Sequence, residues 1–577
     1  MTRAPRTHIR RARASEVDRA APCRPRERRL AALALTGALV LLGTTLAQPL
    51  IEDAVGLVEA AATGGSYRLA AGDFVLTETL VIARDLELRG ERMNGTAIDV
   101  FAAPVGIRVE GGASVRFERM SIGYESEVPG DVVWVHDARL DLVDVRIALG
   151  RGGVSDDVAR PFGVGSGLVL TGSAHATVTG GGLGRHQLAG AELHDDAVLE
   201  LIDSELVANG TGVYVGGDAR LDVRGTHARG HTRNALLAVD AGHVVVADST
   251  FSENGVLGAD LATSWDGVRL GGSVEATFDG VIFVDHPRAA LSLFGAAKVR
   301  SVGSTFEGNG GLDAAGEIYY SAVLLEGDAH LSMEGDVLRG NTGGALEIAG
   351  SAIVDLDGVT IAENGTWSHV FVTEDARLTV RGSRFLDNEG ALYGGGSARV
   401  EVHTSEINGG DTIGIGVGEG AVLELHGSVV RDHAQYGVAV QGDARATITG
   451  TTIETNGSGV VLVGRSWGSL SDNDVHGNVD SGLAFLEGAT GDATDNRVDR
   501  NGWNGILVGD DARADVTGNL LDGNPERGIL FDARATGRVD GNTLRGGAMG
   551  IAVWAAATPQ IGMNTFVDVV RDVVEDR

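Results

Sequence analysis

The sequence predicts an all-β chain wound into a single-stranded parallel β-helix, a solenoid of about eighteen coils with a repeat near 23 residues. Three observations predict it. The first is a short phrase that recurs along the chain, as in Phe251-Ser252-Glu253-Asn254 and Phe306-Glu307-Gly308-Asn309. With its Asn as an anchor, eighteen positions fall between Glu125 and Gly547, and thirteen of the seventeen intervals are 22 to 24 residues. The second is an apolar column. The residue three before the anchor is apolar in all eighteen coils, and the residue eight before is apolar in seventeen, with Ser301 as the exception. The third is composition. Gly is 87 of 577 residues and 43% of the chain is apolar. Short alternating runs such as Arg377-Leu378-Thr379-Val380, parted by Gly, Asn and Asp, make about three short strands per coil and no helix.

The elements follow in chain order. Ten arginines lie between Arg3 and Arg29, and Leu30 to Ala47 then carries no charge. Basic, then apolar, then small residues is the order of an export signal. Residues 1–47 therefore read as a signal peptide or an uncleaved N-terminal membrane anchor. Either one sends the rest of the chain across the membrane, to a periplasmic, cell-surface or extracellular location. Cys23 is the single cysteine, so no intrachain disulfide exists. Residues 48–66 have helical spacing, with Ile51, Ala54, Val55, Val58 and Ala62 on one face, and a capping helix over the open first coil is expected. Coils fill residues 67–566, and residues 567–577 are expected to cover the last one.

Ten anchors are Asn: Asn209, Asn254, Asn309, Asn341, Asn364, Asn388, Asn456, Asn478, Asn501 and Asn524. His186, His231, His286 and His433 take the same place in four coils. Asn, Gly and His accept a positive φ readily, so the anchor itself is expected to turn the bend. Stacked Asn side chains are also expected to hydrogen-bond the next coil as a ladder. A second turn recurs as Asp-Ala, as at Asp218-Ala219 and Asp443-Ala444, with the Ala fitting an inside corner.

These coils resemble the parallel β-helix repeats of the pectate-lyase-like superfamily, whose members carry an asparagine ladder at one bend. The segment Tyr67 to Gly90 resembles that superfamily's first coil, and the resemblance spans roughly residues 50 to 570. It implies a right-handed helix with three parallel sheets. The superfamily holds polysaccharide lyases, hydrolases, esterases and epimerases, besides members without known activity, so the resemblance names no reaction. The paired-aspartate and Gly-His-Gly pattern of polygalacturonases is missing, as is the aspartate and arginine set of pectin methylesterases. Trp134-Val135-His136-Asp137 resembles a pectate lyase signature with His and Asp reversed, and it occupies the place of the Asp-Ala turn.

The net charge is -32, and no cluster of Lys or Arg follows the leader. Nucleic acid is therefore excluded as a partner. Membrane contact is expected only through the N-terminal segment. The anchor histidines mostly alternate with Asn, so no metal site and no cofactor are expected, apart from calcium held by loop carboxylates. Such loops exist. The coils after Gly150, Asn254 and Asn309 carry about 13, 9 and 9 extra residues, all leaving from the bend after the anchor. They present Asp156, Asp157, Arg160, Asp260, Trp265, Asp266, Asp313, Glu317, Tyr319 and Tyr320 as candidate binding residues. Aromatic faces stack on sugar rings, and carboxylates bond hydroxyls, hold calcium or act as acid and base. The expected function is an exported envelope or extracellular protein that binds polysaccharide or a surface partner without catalysis. One alternative is a carbohydrate-active lyase or hydrolase with a carboxylate pair drawn from two of these loops. Another is a structural spacer or adhesin.

Overall fold

In the computed structural model, the described residues are 48–101, 104–153, 163–255, 265–311, 320–365 and 369–576. The leader, residues 1–47, lies outside them, so its reading as signal or anchor stays an expectation. The described residues belong to one compact unit.

Each full coil makes three strands. One coil runs Arg220–Arg224, His227–Arg229 and Leu236–Ala238, and the next begins at His243–Ala247. Each strand pairs in parallel with its equivalent one coil on: Leu221 with Val244, Ala228 with Phe251, Leu236 with Val268. Stacking these triplets builds three parallel sheets, here called first, second and third in chain order. Among the described residues the third contains 21 strands, so the solenoid has about twenty-one turns and not eighteen. The three strands that the anchor count misses are Leu80–Ile82 and Val105–Val109, ahead of Glu125, and Arg571–Asp576, beyond Gly547. Arg571–Asp576 pairs in parallel with Met549–Trp554 and so adds a further rung.

The interior is one apolar column. Phe251, Phe283 and Phe306 are buried and in register, with ring centroids 5.7 Å and 4.5 Å apart in turn. Burying such rings and the flanking Leu, Ile and Val is the main stabilising term, roughly 1.5–3 kcal/mol per large side chain. Ala219, Ala329, Ala376, Ala444 and Ala512 are buried at the inside corner of the Asp-Ala turn.

The bend does not work as its residue types suggested. The left-handed residue is the one before the anchor: Ala208 (φ 54), Glu253 (φ 54), Asp387 (φ 51) and Thr455 (φ 56). The Asn is there for its side chain. Its Oδ1 accepts the backbone N–H of the preceding anchor, and its Nδ2 donates to a carbonyl of the preceding coil. Asn209 takes the N–H of His186 at 3.0 Å and gives to Leu183 O at 3.0 Å. Asn478, Asn501 and Asn524 repeat both bonds. Histidine copies the accepting half, Nδ1 of His186 accepting Gly150 N–H at 2.9 Å and Nδ1 of His231 accepting Asn209 N–H at 3.0 Å, and the Nε2 of His186 also meets Ile147 O at 3.1 Å.

A second polar row stands five residues before the anchor. It is mostly hydroxyls from Ser204 to Thr451, with Asp336 among them, and becomes Asn473, Asn496, Asn519 and Asn542, all buried. Ser383 N–H donates to Ser405 Oγ at 3.2 Å, and Asn473 N–H to Asn496 Oδ1 at 3.0 Å. Where both rows are polar, two bends of a coil are tied to the next coil by side chains, which satisfies backbone groups that the turns leave without a strand partner.

Among the described residues one α-helix, Ala54–Thr63, lies at the start of the coils. Asp53 caps it by accepting Gly56 N–H at 2.9 Å, and Gly64 (φ 73) ends it. It packs on Gly72–Leu76 and Leu80–Ile82. Its buried side is Leu57, Ala60 and Ala61, whereas Val55 and Val58 are exposed. The chain offers two apolar stripes one residue out of phase, and the stripe carrying Leu is the one that packs.

Candidate functional site

Along each third-sheet strand two residues point inward and the one between them points out. In register, the outward positions run Arg108, Trp134, Val169, Glu192 and Tyr214. Further on they run Arg269, Ser292, Leu324, Glu347, Phe371 and Tyr393. Strands lie about 4.8 Å apart, so this column spaces its rings and charges evenly, with the buried Val169 and Ser292 between them.

Its first part is a hydrogen-bonded group. The Trp134 indole N–H donates to Thr171 Oγ1 at 2.9 Å, and His136 Nδ1 meets the same hydroxyl at 3.0 Å. The Arg108 guanidinium sits over the Trp134 ring at 5.0 Å. Glu192 is buried; it accepts the Ser166 hydroxyl and lies 3.2 Å from His194 Nε2. Asp131, also buried, accepts both Gly165 N–H and Ser166 N–H at 2.9 Å and so fixes the chain that returns from the first insertion. Asp137, next to His136, is the turn residue (φ 47) and accepts Ser173 N–H at 2.8 Å. The Trp-Val-His-Asp segment is therefore a strand that ends in a turn, with Trp134 on the outer face.

The second part is built on a buried ion pair. Asp266 is fully buried, 2.8 Å from an Arg288 nitrogen and 3.7 Å from Arg269. Burial raises the Asp266 carboxyl above its usual range, and the two arginines and Ser292 only partly offset this. The same arginines lie over rings: Arg288 over Tyr320 at 4.9 Å and Arg269 over Phe294 at 4.2 Å. Arg233 covers Trp265 at 5.3 Å. Glu347 is raised by burial first and by the charge of Glu326 second, with Arg288 pulling the other way. Buried His369 is pushed down to about 4 and accepts Gly390 N–H at 3.3 Å.

Of the candidate residues, Asp156, Asp157, Arg160, Asp260, Asp313, Glu317 and Tyr319 lie outside the described residues, and with them the calcium and paired-carboxylate expectations. The structure brings Asp266 and Tyr320 together around Arg288, whereas Trp265 packs under Arg233. Asp266 (0% exposed) and Tyr320 (8%) do not reach solvent. Arg269 on the outward column lies 3.7 Å from Asp266, and Glu347 further along the column feels the charge of Arg288. Arg288, Glu192, Glu347, Phe371 and Tyr393 were not singled out from the sequence. Their signal is weak, since the outward residue falls five to seven positions after the anchor: Tyr214 after Asn209, Glu192 after His186, Phe371 after Asn364. Among the described residues no three His, Cys, Asp or Glu side chains converge as metal ligands.

Comparison with solved structures finds the periplasmic alginate epimerase AlgG at 12% identity, over 59% of this chain and 76% of that one, with a TM-score of 0.33. The PL6 family alginate lyase AlyGC is 10% identical over 90% of this chain and 100% of that one, with a TM-score of 0.33. The N-terminal fragment of gene product 12 of bacteriophage Phi29 is 8% identical over 90% of both chains, with a TM-score of 0.37. A search of curated protein sequences gives no match. The family model described as the right handed beta helix region matches residues 166–318, 315–440 and 390–566, well over half of the sequence. With three parallel sheets and ladders at two bends, the chain belongs to the right-handed β-helix family.

Proposed function

We propose that the protein is exported and binds an extended polysaccharide along the outer face of its third sheet. The observation that carries this reading is the outward column itself. Trp134, Tyr214, Phe371 and Tyr393 place rings on one line, and Arg108 and Arg269 stand in the same line. Rings supply apolar area for sugar faces, and guanidinium groups fork onto hydroxyls or carboxylates. A rigid sheet presents both without ordering a loop, which lowers the entropic cost of binding. The Arg-rich and then apolar leader supports export.

The test is a polysaccharide array followed by titration with the best binder. Phe371→Ala with Tyr393→Ala, or Trp134→Ala, should weaken binding about tenfold or more at unchanged melting temperature. A wild-type protein that binds no polysaccharide, or variants that bind like wild type, would remove this reading. Export is checked separately by cell fractionation and by the N-terminal sequence of the mature chain.

A second reading, catalysis on such a polymer, is favoured by Glu347. Its carboxyl is raised, half-buried on the same strip, and electrostatically coupled to Glu326 and Arg288. A carboxyl whose pKa is raised by burial beside a second carboxylate is a usual setting for a general acid. Incubation with the bound polysaccharide should release shorter or unsaturated products, and Glu347→Gln should stop it while binding persists.

A further inference from the structure

The second sheet carries a feature that polysaccharide binding on the third does not use. On its outer face lies a depression of about 310 Å³. Its origin is in the sequence Gly182-Leu183-Gly184: the two outward positions of this strand have no side chain, so one rung is missing from the surface. The rungs on either side are full. Arg146 precedes Gly182 and Glu205 follows it in register, and Ala148 and Val207 flank Gly184. Arg229 stands one coil beyond Val207, and Arg185 rises from the bend with a left-handed φ of 62. Leu149 completes the wall.

Three arginines therefore surround one dent, with Glu205 as the single carboxylate. Among the described residues none of Arg146, Arg185 and Arg229 belongs to an ion pair, although arginines elsewhere on the coils pair freely, as Arg399 does with Glu401 at 2.8 Å. The chain as a whole has 79 Asp and Glu against 47 Lys and Arg, so a locally basic cleft runs against its net charge. Exposed arginines without partners cost nothing in folding, but three aimed at a glycine floor create a positive potential where an oxyanion is accessible to several guanidinium forks. The apolar part of the wall, Leu149, Ala148 and Val207, suits the body of a small ring.

We infer that this depression is a second ligand site, independent of the third-sheet face, for an oxyanion (phosphate, sulfate or carboxylate) borne on a body the size of one sugar ring. Arg146, Arg185 and Arg229 hold the anion, and the gap at Gly182 and Gly184 admits the ring.

The full chain is titrated by calorimetry at constant ionic strength with glucose 6-phosphate, glucuronate, glucose, inorganic phosphate and inorganic sulfate. Saturable binding of the first two, none of glucose, and loss of affinity with added salt are expected. Arg185→Ala and Arg229→Ala should each weaken binding about tenfold or more, with the melting temperature unchanged because both side chains are exposed. Gly184→Val should remove binding by filling the gap; its Cβ would stand 3.2 Å from Val207 O, so the arginine variants guard against misfolding. Phe371→Ala should leave this site untouched. Inorganic phosphate or sulfate binding as tightly as the sugar-borne anions would keep the site and make a free oxyanion its ligand. No saturable binding of any anion, or binding that survives loss of all three arginines, overturns the inference.

Discussion

Ser301 donates its hydroxyl to Oδ1 of Asp336 at 2.9 Å, deep inside the solenoid. Each is an exception in its own column. Ser301 is the one polar residue among the inward positions eight before the anchor, and Asp336 is the one carboxylate in the second polar row. Asp336 also accepts Ser304 N–H at 2.6 Å and Glu334 N–H at 3.0 Å, yet burial pushes its carboxyl up to about 6. Because the folded value exceeds the unfolded 3.8, the ionised group weakens the fold, and the penalty grows as pH rises from 3.8 to 6. In Asp336→Asn the amide is expected to reach the Ser301 carbonyl, as Asn473 reaches Ile448 O. That variant should be more stable by about 3 kcal/mol at pH 7.5 but only by about 1 kcal/mol at pH 4.5. Ser301→Val alone should cost about 2 kcal/mol by removing a donor from a buried charge, and combining it with Asp336→Asn should recover most of that. Urea unfolding at both pH values reads this out; equal effects at the two would contradict it.

The asparagine ladder makes a sharper claim about where stability resides. Asn478 accepts Asn456 N–H at 2.9 Å and donates to Ile453 O at 3.2 Å. Asn478→Ala leaves a buried N–H and a buried C=O without partners, at a cost of about 2–5 kcal/mol. Since a solenoid couples mainly neighbouring coils, the loss should be local. Hydrogen exchange should quicken at Asn456 and its neighbours and stay unchanged at Phe117 or Leu140. Uniform acceleration along the whole chain would mean that the ladder acts globally.

Acid should act through the histidine rungs. Burial holds His231 at about 3, and His186 and His286 at about 4. Protonated Nδ1 would point a proton at the N–H that it now accepts. Folded values lie below the unfolded 6.5, so these rungs are fully stabilising above about pH 6.5 and lose their contribution as pH falls towards 4. Each should remove about 3 kcal/mol over that range. The triple change His186→Asn, His231→Asn and His286→Asn keeps an acceptor in place and should flatten the fall in melting temperature between pH 7 and pH 4. An unchanged slope would assign acid sensitivity to other groups.

The fold was legible because stacking forces equivalent residues into columns, and upstream of each anchor the spacing hardly varies. The apolar position of Phe251, Phe283 and Phe306 could be read directly, and Ser301 stood out as an exception. The end coils were less legible, since Leu80–Ile82 and Val105–Val109 follow bends that lack the anchor phrase. The bend was misread at Ala208 and Glu253 because residue types show that a left-handed residue is needed but not which neighbour supplies it. The outer strip was hidden for a related reason. Between the anchor and the third strand the chain changes length, so Tyr214 and Phe371 share a column in space and not in sequence offset. Asp266, Trp265 and Tyr320 could be picked out as unusual. The burial of Asp266 and Tyr320 could not be read, because it rests on Arg288, a coil away in space and not marked by any repeat.

That pair yields a last prediction. Asp266 and Arg288 are both buried, and two charges are expensive to bury unless each has the other. The two partners should not be equally sensitive. Asp266→Leu leaves a guanidinium that cannot shed its charge, at a cost of about 3–5 kcal/mol. Arg288→Met leaves a carboxyl that burial already drives towards its neutral form, so protonation limits the damage. The Arg288→Met variant should therefore regain stability as pH falls from 7 to 5, whereas Asp266→Leu should not. The double variant Asp266→Leu with Arg288→Met should be nearly as stable as wild type. If the strip above this pair binds polysaccharide, the double variant separates two roles. Retained affinity would mean that the ion pair only fills space beneath Arg269. Lost affinity at wild-type melting temperature would mean that it sets the position of Arg269, which lies 3.7 Å from Asp266.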